Sequence, residues 1–165
     1  MLDAEEAVEE GMGASLVSRV YEDEDGPAVW LEMPSGHGDS GVALTSRDVR
    51  EFQLAKGAVA AGVKVLLGVA GIGPGDLDEV LLAGGFGNDR DPASELAAGL
   101  LPAGIAVDRV KSVGNASLAG ARLFLLSEEE RSAAEKLSRD VIYIELSGRE
   151  DFQDAFAEEM LFPAL

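Results

Sequence analysis

The chain has 165 residues, enough for a domain with its own hydrophobic core, and its 47% hydrophobic content is that of a globular protein rather than a disordered one. Its 13 Lys and Arg residues against 31 Asp and Glu residues give a net charge of −18, which would repel a nucleic-acid backbone and so argues against nucleic-acid binding. Because the chain has no Cys, it can hold neither a disulfide nor a thiolate-bound metal or iron–sulfur cluster.

Nothing in the sequence predicts a membrane or metal partner. No stretch approaches the roughly 20 apolar residues of a membrane-spanning helix, and the N-terminus is acidic where a secretory signal would be basic. His37 lies in a Gly-rich loop with no second His or Cys to share a metal, so we predict no metal site. The expected compartment is the cytoplasm.

The first third of the chain predicts a helix followed by short antiparallel strands. Residues 2–10 have the pattern of an acidic helix that Gly11 ends, and its abrupt start at Met1 indicates a fragment. Extended runs at residues 16–21 and 28–33 flank an acidic turn and predict a hairpin, with a third strand at residues 42–44.

A long helix and a buried strand follow. Thr45 and Asp48 form a variant of the capping box, which predicts a helix from Ser46 to about Ala70. The segment of residues 79–83 is short, nearly all apolar and bounded by turn residues, which is typical of a buried strand. Beyond a Gly-rich turn, Asp91 with Pro92 predicts the start of a helix that reaches about Leu100.

The last third continues the alternation of strands and helices. Strands are predicted at residues 107–113 and 141–146, and helices at residues 116–126, 127–139 and 151–160. The fold class is therefore α/β, with a small antiparallel hairpin unit placed before alternating strands and helices. We expect two domains, residues 1–44 and 45–165.

The feature that points most clearly to a ligand-binding site is the Gly-rich turn that begins at Gly84, directly after a predicted strand. In open α/β sheets ligands bind beyond the carboxyl ends of strands, and glycines let the backbone approach a flat or anionic ligand. The turn is not a dinucleotide fingerprint, because Arg90 stands where a third Gly belongs, and no P-loop Lys follows. Taken alone, it is better interpreted as a tight turn without a ligand.

Two strings nevertheless resemble motifs of the acetate and sugar kinase, heat-shock chaperone and actin (ASKHA) superfamily. Residues 80–85, Val-Leu-Leu-Ala-Gly-Gly, resemble its adenosine motif, and residues 117–121, Ser-Leu-Ala-Gly-Ala, resemble its second connecting motif. More specifically, ordered strings between Thr45 and Pro163 resemble the C-terminal region of reductive activators of corrinoid-dependent proteins. These strings are residues 48–58, 82–88, 99–102, 113–116, 144–147 and 162–163.

The resemblance implies an actin-like, ribonuclease H-like ATPase fold, of which this chain would form half a lobe. In that family an iron–sulfur domain passes an electron to an inactivated Co(II) corrinoid, and a nucleotide-binding domain couples ATP to the reduction. The chain would then be the adenosine-side lobe, with ATP or ADP and magnesium as cofactors and a corrinoid protein as partner. Since the iron–sulfur domain and the phosphate loops lie outside it, we expect no catalytic residues and no activity in isolation.

The resemblance also implies a set of nucleotide-binding residues. The Gly-rich turn would line the adenosine pocket, and polar residues of the long helix would contact the ribose or base. The implied set is Gly84, Gly85, Phe86, Gly87, Asn88, Gln53 and Lys56. Simpler roles remain open for three residues: Phe86 as a core residue, Lys56 as a solvated side chain, and Asn115 as a helix N-cap.

A second interpretation of the whole chain comes from another functional class. It would be a non-catalytic module that forms a homodimer or docks onto the corrinoid protein, with glycines that only turn the chain. A third, an activator of a 2-hydroxyacyl dehydratase, is disfavoured by the strings at residues 86–88 and 162–163.

Overall fold

The computed structural model describes residues 17–36, 40–84 and 91–163. They belong to two compact units, which meet in the sequence between Leu54 and Ala55, inside the longest helix. The domain boundary expected before Thr45 stays a prediction. The helix predicted at residues 2–10 and the loop residue His37 lie outside the described residues.

The first unit contains a three-stranded antiparallel sheet. Strands β1 (Val20–Asp23), β2 (Gly26–Glu32) and β3 (Val42–Thr45) neighbour one another in that order. The turn between β1 and β2 depends on Gly26, whose φ of 112° is a conformation that favours glycine. The predicted hairpin and third strand are thus confirmed, although β1 begins later than the predicted run.

Helix α1 (Ser46–Ala70) has the predicted bounds because local signals set both ends. The Thr45 backbone N–H and hydroxyl donate to the Asp48 carboxylate at 2.9 and 2.7 Å, and the Asp48 N–H donates to the Thr45 hydroxyl at 3.1 Å. At the other end Gly71 adopts a φ of 70°, and the Ile72 N–H donates to the Leu67 carbonyl, as in helices that end at a left-handed residue.

By length and composition alone, α1 is apolar enough to cross a membrane, contrary to the expectation that no stretch comes near this. Those criteria are also met by core helices of globular domains, and α1 behaves as one in the second unit. Ala60 and Ala61 are fully buried there, and Lys56 and Lys64 interrupt the apolar run. We therefore interpret α1 as a core helix.

The second unit contains a two-stranded parallel sheet. After a 3-10 turn at Pro74–Asp76, strand β4 (Val80–Ala83) pairs with β5 (Val110–Gly114). Helix α2 (Pro92–Ala97) lies between them in sequence, and a 3-10 turn at Val107–Arg109 replaces the first residues of the predicted strand. Helix α2 ends three residues before the predicted Leu100.

One face of this sheet is covered by a small hydrophobic core. The core is built on Leu101, Ile105 and Val110, with the partly buried residues Leu77, Val80, Leu82 and Leu96 packed against it. The guanidinium of Arg109 ties the preceding loop to the sheet by donating to the carbonyls of Gly75 and Leu77 at 2.7 and 2.6 Å.

Three helices complete the second unit: α3 (Ala116–Leu126), α4 (Glu128–Asp140) and α5 (Glu150–Glu159). Helices α3 and α4 pack on each other, and neither has a buried residue. The strand predicted at residues 141–146 is wrong as a description of the structure. These residues pair with no strand in the part of the chain that the structure describes, although their pattern is strand-like.

Helix α5 packs on the second half of α1. A Cβ placed on Gly57 would lie only 3.1 Å from the Met160 side chain, so the two helices approach closely where α1 has no side chain. Lys64 of α1 forms an ion pair with Glu158 at 2.8 Å, and Ala155 of α5 is buried. The end of α5 is thereby fixed against α1.

Candidate functional site at the carboxyl edge of the parallel sheet

Two glycines with positive φ lie side by side where β4 and β5 end. Gly84 has a φ of 146° and Gly114 a φ of 63°, and the Gly84 N–H donates to the Gly114 carbonyl at 2.8 Å. The pairing becomes irregular just before this point, between Leu82 and Ala83. Because both chains turn away at the same level, backbone rather than side chains forms this edge of the sheet.

No described residue fills the space beside Gly84. A Cβ placed on Gly84 would meet no described atom within 4 Å, so a ligand could lie against the backbone there. The predicted residues Gly85, Phe86, Gly87 and Asn88 follow immediately, but they lie outside the described residues, and their roles stay predictions. The sequence analysis did not include Gly114 in the predicted site, although a Gly-Asn pair directly after a predicted strand is a usable signal.

Two helix N-termini follow this edge, and both are capped as predicted. The Asp91 carboxylate accepts the Ser94 hydroxyl at 2.7 Å and the Ser94 N–H at 3.0 Å, which lowers the pKa of Asp91. The Asn115 side-chain oxygen accepts the Leu118 N–H at 3.0 Å. Capping accounts for Asn115 without a ligand.

Lys56 has structural partners at the C-terminal end of α5. Its side chain is 1% exposed, and its ammonium group donates to the carbonyls of Glu159 and Leu161 at 2.7 and 2.5 Å. The same ammonium lies 5.4 Å from the centre of the Phe162 ring. The interpretation of Lys56 as a solvated side chain is therefore wrong, while its contact with a nucleotide stays a prediction.

Gln53 belongs to the first unit, where it is half-buried on α1. Within the described ranges its side chain makes no hydrogen bond. Its predicted nucleotide contact likewise stays a prediction.

Large apolar side chains remain exposed on α3. The exposed fractions of Leu118, Leu125 and Leu126 are 67%, 74% and 76%. A groove between α3 and α4 has small residues on one wall, including Ser117, Gly120 and Ala121. This surface is apolar enough to serve as a contact surface for another polypeptide.

The comparisons with known proteins agree on one family. The model of the C-terminal domain of RACo, the ASKHA domain, matches residues 2–165. The chain belongs to this family. It is a C-terminal ASKHA domain of the reductive activators of corrinoid proteins, and the predicted fold class is confirmed.

Two individual relatives support the assignment. The corrinoid activation enzyme RamQ of Eubacterium limosum is 34% identical over 149 residues, which are 89% of this chain and 25% of RamQ. A solved structure of a reductive activator for corrinoid, iron-sulfur protein matches with a TM-score of 0.79 and 33% identity, over 88% of this chain and 23% of that one. The chain thus spans about a quarter of the length of these relatives.

Proposed function

We propose that this domain supplies the adenosine side of the nucleotide cleft in an ATP-dependent reductive activator. That activator would return an inactivated Co(II) corrinoid protein to Co(I). The observation that supports this best is the pair of positive-φ glycines, Gly84 and Gly114, at the carboxyl edge of a parallel sheet, where no described atom lies within 4 Å of a Cβ placed on Gly84. A backbone edge without side chains suits the flat face of an adenine or ribose.

The division of labour follows from what the residues of this chain can do. Reduction of Co(II) to Co(I) needs one electron, and a chain without Cys cannot hold an iron–sulfur cluster to supply it. The cluster and the groups that hold the phosphates and magnesium would therefore come from other parts of the activator. This domain would bind and orient the nucleoside, with Gly85, Phe86, Gly87, Asn88, Gln53 and Lys56 as the further proposed contacts.

A calorimetric titration with ADP and magnesium tests the site. In Gly84→Ala a methyl group would stand where we place the nucleotide, so we expect at least about tenfold weaker binding than in the parent chain. Gly71→Ala is the matched control, because Gly71 also has a positive φ, of 70°, and open space beside it, but lies at the end of α1. Gly71→Ala places a side chain at a positive φ as well, although with less strain than at the φ of 146° of Gly84, and it should leave the affinity unchanged.

Two outcomes would count against the proposed site. If Gly84→Ala and Gly71→Ala bind ADP equally well, the nucleotide lies elsewhere. If neither this chain nor a longer activator that contains it binds ADP, the adenosine-side role is wrong. As the chain alone would form only part of a cleft, we expect its own affinity to be in the millimolar range, near −4 kcal/mol.

The exposed apolar face of α3 favours a second, compatible function, a docking module for the corrinoid protein or for a second copy of the chain. Both functions place the protein in the cytoplasm, which we propose as its compartment. A module of this kind would bind its partner whether or not ADP is present, which separates it from the first proposal.

A further inference from the structure

Three separate parts of the chain meet around the ammonium group of Lys56. Its bond to the carbonyl of Leu161 holds the C-terminal tail, which we define as residues 161–163, against α1. The third part is Gly99, because a Cβ placed on Gly99 would lie 3.0 Å from the Lys56 Nζ and 3.0 Å from ring atoms of Pro163. We call this meeting of α1, the tail and Gly99 the tail contact.

Gly99 is buried and ends α2 in a conformation that suits glycine. Its φ is 73°, its own N–H donates to the Leu96 carbonyl at 3.0 Å, and the N–H of Leu100 donates to the Glu95 carbonyl at 3.0 Å. This is the hydrogen-bond pattern of a Schellman motif, in which a left-handed residue terminates the helix. The tail contact therefore acts on the C-terminal end of α2.

Helix α2 connects the tail contact to the proposed adenosine site. The segment that begins at Gly84 leads along the chain into Asp91, the N-cap of α2, and Gly99 ends the same helix. The helix has six residues, which span about 9 Å at the rise of an α-helix. Since a short helix moves as a rigid element, a shift of its C-terminal end also moves the end that follows the Gly-rich turn.

Three of the strings that resemble the reductive activators contribute to this contact. They are residues 48–58, which include Lys56, residues 99–102, which begin with Gly99, and residues 162–163. These strings are far apart in the sequence, and the fold brings them together at the end of α2. The resemblance therefore extends to the tail contact as well as to the Gly-rich turn.

We propose that Lys56 and the C-terminal tail are positioning elements of the adenosine site, which fix α2 and thereby hold the Gly-rich turn in place for the nucleotide. This proposal rests on the adenosine-side function proposed above and deepens it. In this role Lys56 acts on the site through α2, which differs from the direct contact with the ribose or base that the resemblance implies.

Deletion of residues 161–165 separates the two roles of Lys56, because they predict different results in a calorimetric titration with ADP and magnesium. The deletion removes the Leu161 carbonyl and the Pro163 ring from the tail contact. If the tail positions α2, ADP should bind at least about fivefold more weakly. If Lys56 contacts the nucleotide directly, its ammonium group loses a competing acceptor, and the affinity should stay the same or rise.

Gly99→Ala tests the contact from the side of α2, with Gly71→Ala as its control. Both glycines follow a helix at nearly the same φ, 73° and 70°, so alanine adds a comparable backbone strain at each. Only at Gly99 does the new methyl group meet the tail contact, since a Cβ on Gly71 has no described atom within 4 Å. We expect Gly99→Ala to weaken ADP binding at least about fivefold and Gly71→Ala to leave it unchanged.

Hydrogen exchange without nucleotide measures the positioning itself. The N–H groups of Ser94 and Glu95 bond to Asp91 at the end of α2 that lies away from the tail contact. In the deletion variant and in Gly99→Ala these two amides should exchange at least about tenfold faster than in the parent chain, because a helix that is fixed at one end less firmly opens more often. In Gly71→Ala they should exchange as in the parent.

Unchanged exchange in both variants overturns the proposal, and so does unchanged ADP affinity in both. All affinities are measured where circular dichroism and urea unfolding show fully folded proteins, so a contact that only stabilises the fold leaves them unchanged. Failure of the adenosine-side function has a different signature. The parent chain and a longer activator would then bind no ADP, while hydrogen exchange would still show whether the tail fixes α2.

Discussion

The ammonium group of Lys56 lies at the C-terminal end of α5, where a helix presents carbonyl oxygens that have no partner in the helix. Its bond to Glu159 satisfies one such oxygen, its bond to Leu161 satisfies a carbonyl just beyond the helix, and both place a positive charge at the negative end of the helix dipole. The contact also fixes the chain beyond α5, because Phe162 packs over the same ammonium.

Lys56→Met should therefore destabilise the fold. The change keeps most of the apolar stem but leaves two carbonyls without their charged donor, which typically costs about 2–3 kcal/mol. Urea unfolding measures this. Lys64→Met is the control, because Lys64 is about half exposed in its pair with Glu158, and an exposed ion pair contributes less than about 1 kcal/mol.

Equal losses in the two variants would show that Lys56 has no special structural role. ADP affinity in Lys56→Met then distinguishes a purely structural contact from a role at the nucleotide site. Such a role, by contact or by positioning, would reduce affinity under conditions where both proteins are fully folded. The burial of Lys56 could not be predicted from its neighbours in the sequence, since its partners lie 103 and 105 residues further along the chain.

At the scale of elements, the sequence best predicted those features, such as helix ends, that residues close to each other in the chain determine. The bounds of α1 follow from the Thr45 and Asp48 cap and from Gly71, all of which act within one turn. The strand predicted at residues 141–146 failed for the opposite reason. Alternation shows that a segment can be a strand, but a strand forms only where another backbone is available to pair with it.

The same local caps give the stability a dependence on pH. Hydrogen bonds from Thr45 lower the pKa of Asp48, and those from Ser94 lower that of Asp91. Bonds from Ser147 and then Tyr143 lower the pKa of Glu145 from 4.5 to about 2. Since the unfolded chain binds these protons at higher pH, the stabilisation is complete above the ordinary pKa values and is lost as pH falls through the folded ones.

We therefore expect the difference in unfolding free energy between the parent chain and a double variant, Asp48→Asn with Asp91→Asn, to shrink as pH falls from about 5 to 2. Asn can still accept the capping hydrogen bonds, so the variant loses only the charge. Urea unfolding at a series of pH values measures the difference. A difference that is constant over this range would show that the two carboxylates titrate alike in the folded and unfolded chains.

At the scale of the whole molecule, the site was predicted only in part. The sequence predicted that the Gly-rich turn follows the end of a strand. The structure confirms this for its first residue, Gly84, which comes directly after β4. The neighbouring Gly114 comes from β5, 30 residues along the chain, and only the parallel pairing of the two strands brings them together. Parallel pairing depends on a crossover connection, which local patterns do not specify.

The charge of −18 is a property of the whole molecule with a consequence for stability. Excess negative charge repels itself more in a compact state than in an expanded chain, so it opposes folding. Added salt screens this repulsion beyond a Debye length, which falls from about 30 Å at 0.01 M to about 8 Å at 0.15 M. We therefore expect the unfolding free energy to rise with NaCl over this range.

Urea unfolding at several NaCl concentrations measures the first effect, at a protein concentration low enough to keep the chain monomeric. KCl should act identically, because screening depends on ionic strength and not on which monovalent cation is present. If stability fell as salt was added, the short-range attractions that salt weakens, such as those between Lys64 and Glu158 and between Arg149 and Asp151, would outweigh the general repulsion. The charged side chains would then, taken together, stabilise the folded chain rather than destabilise it.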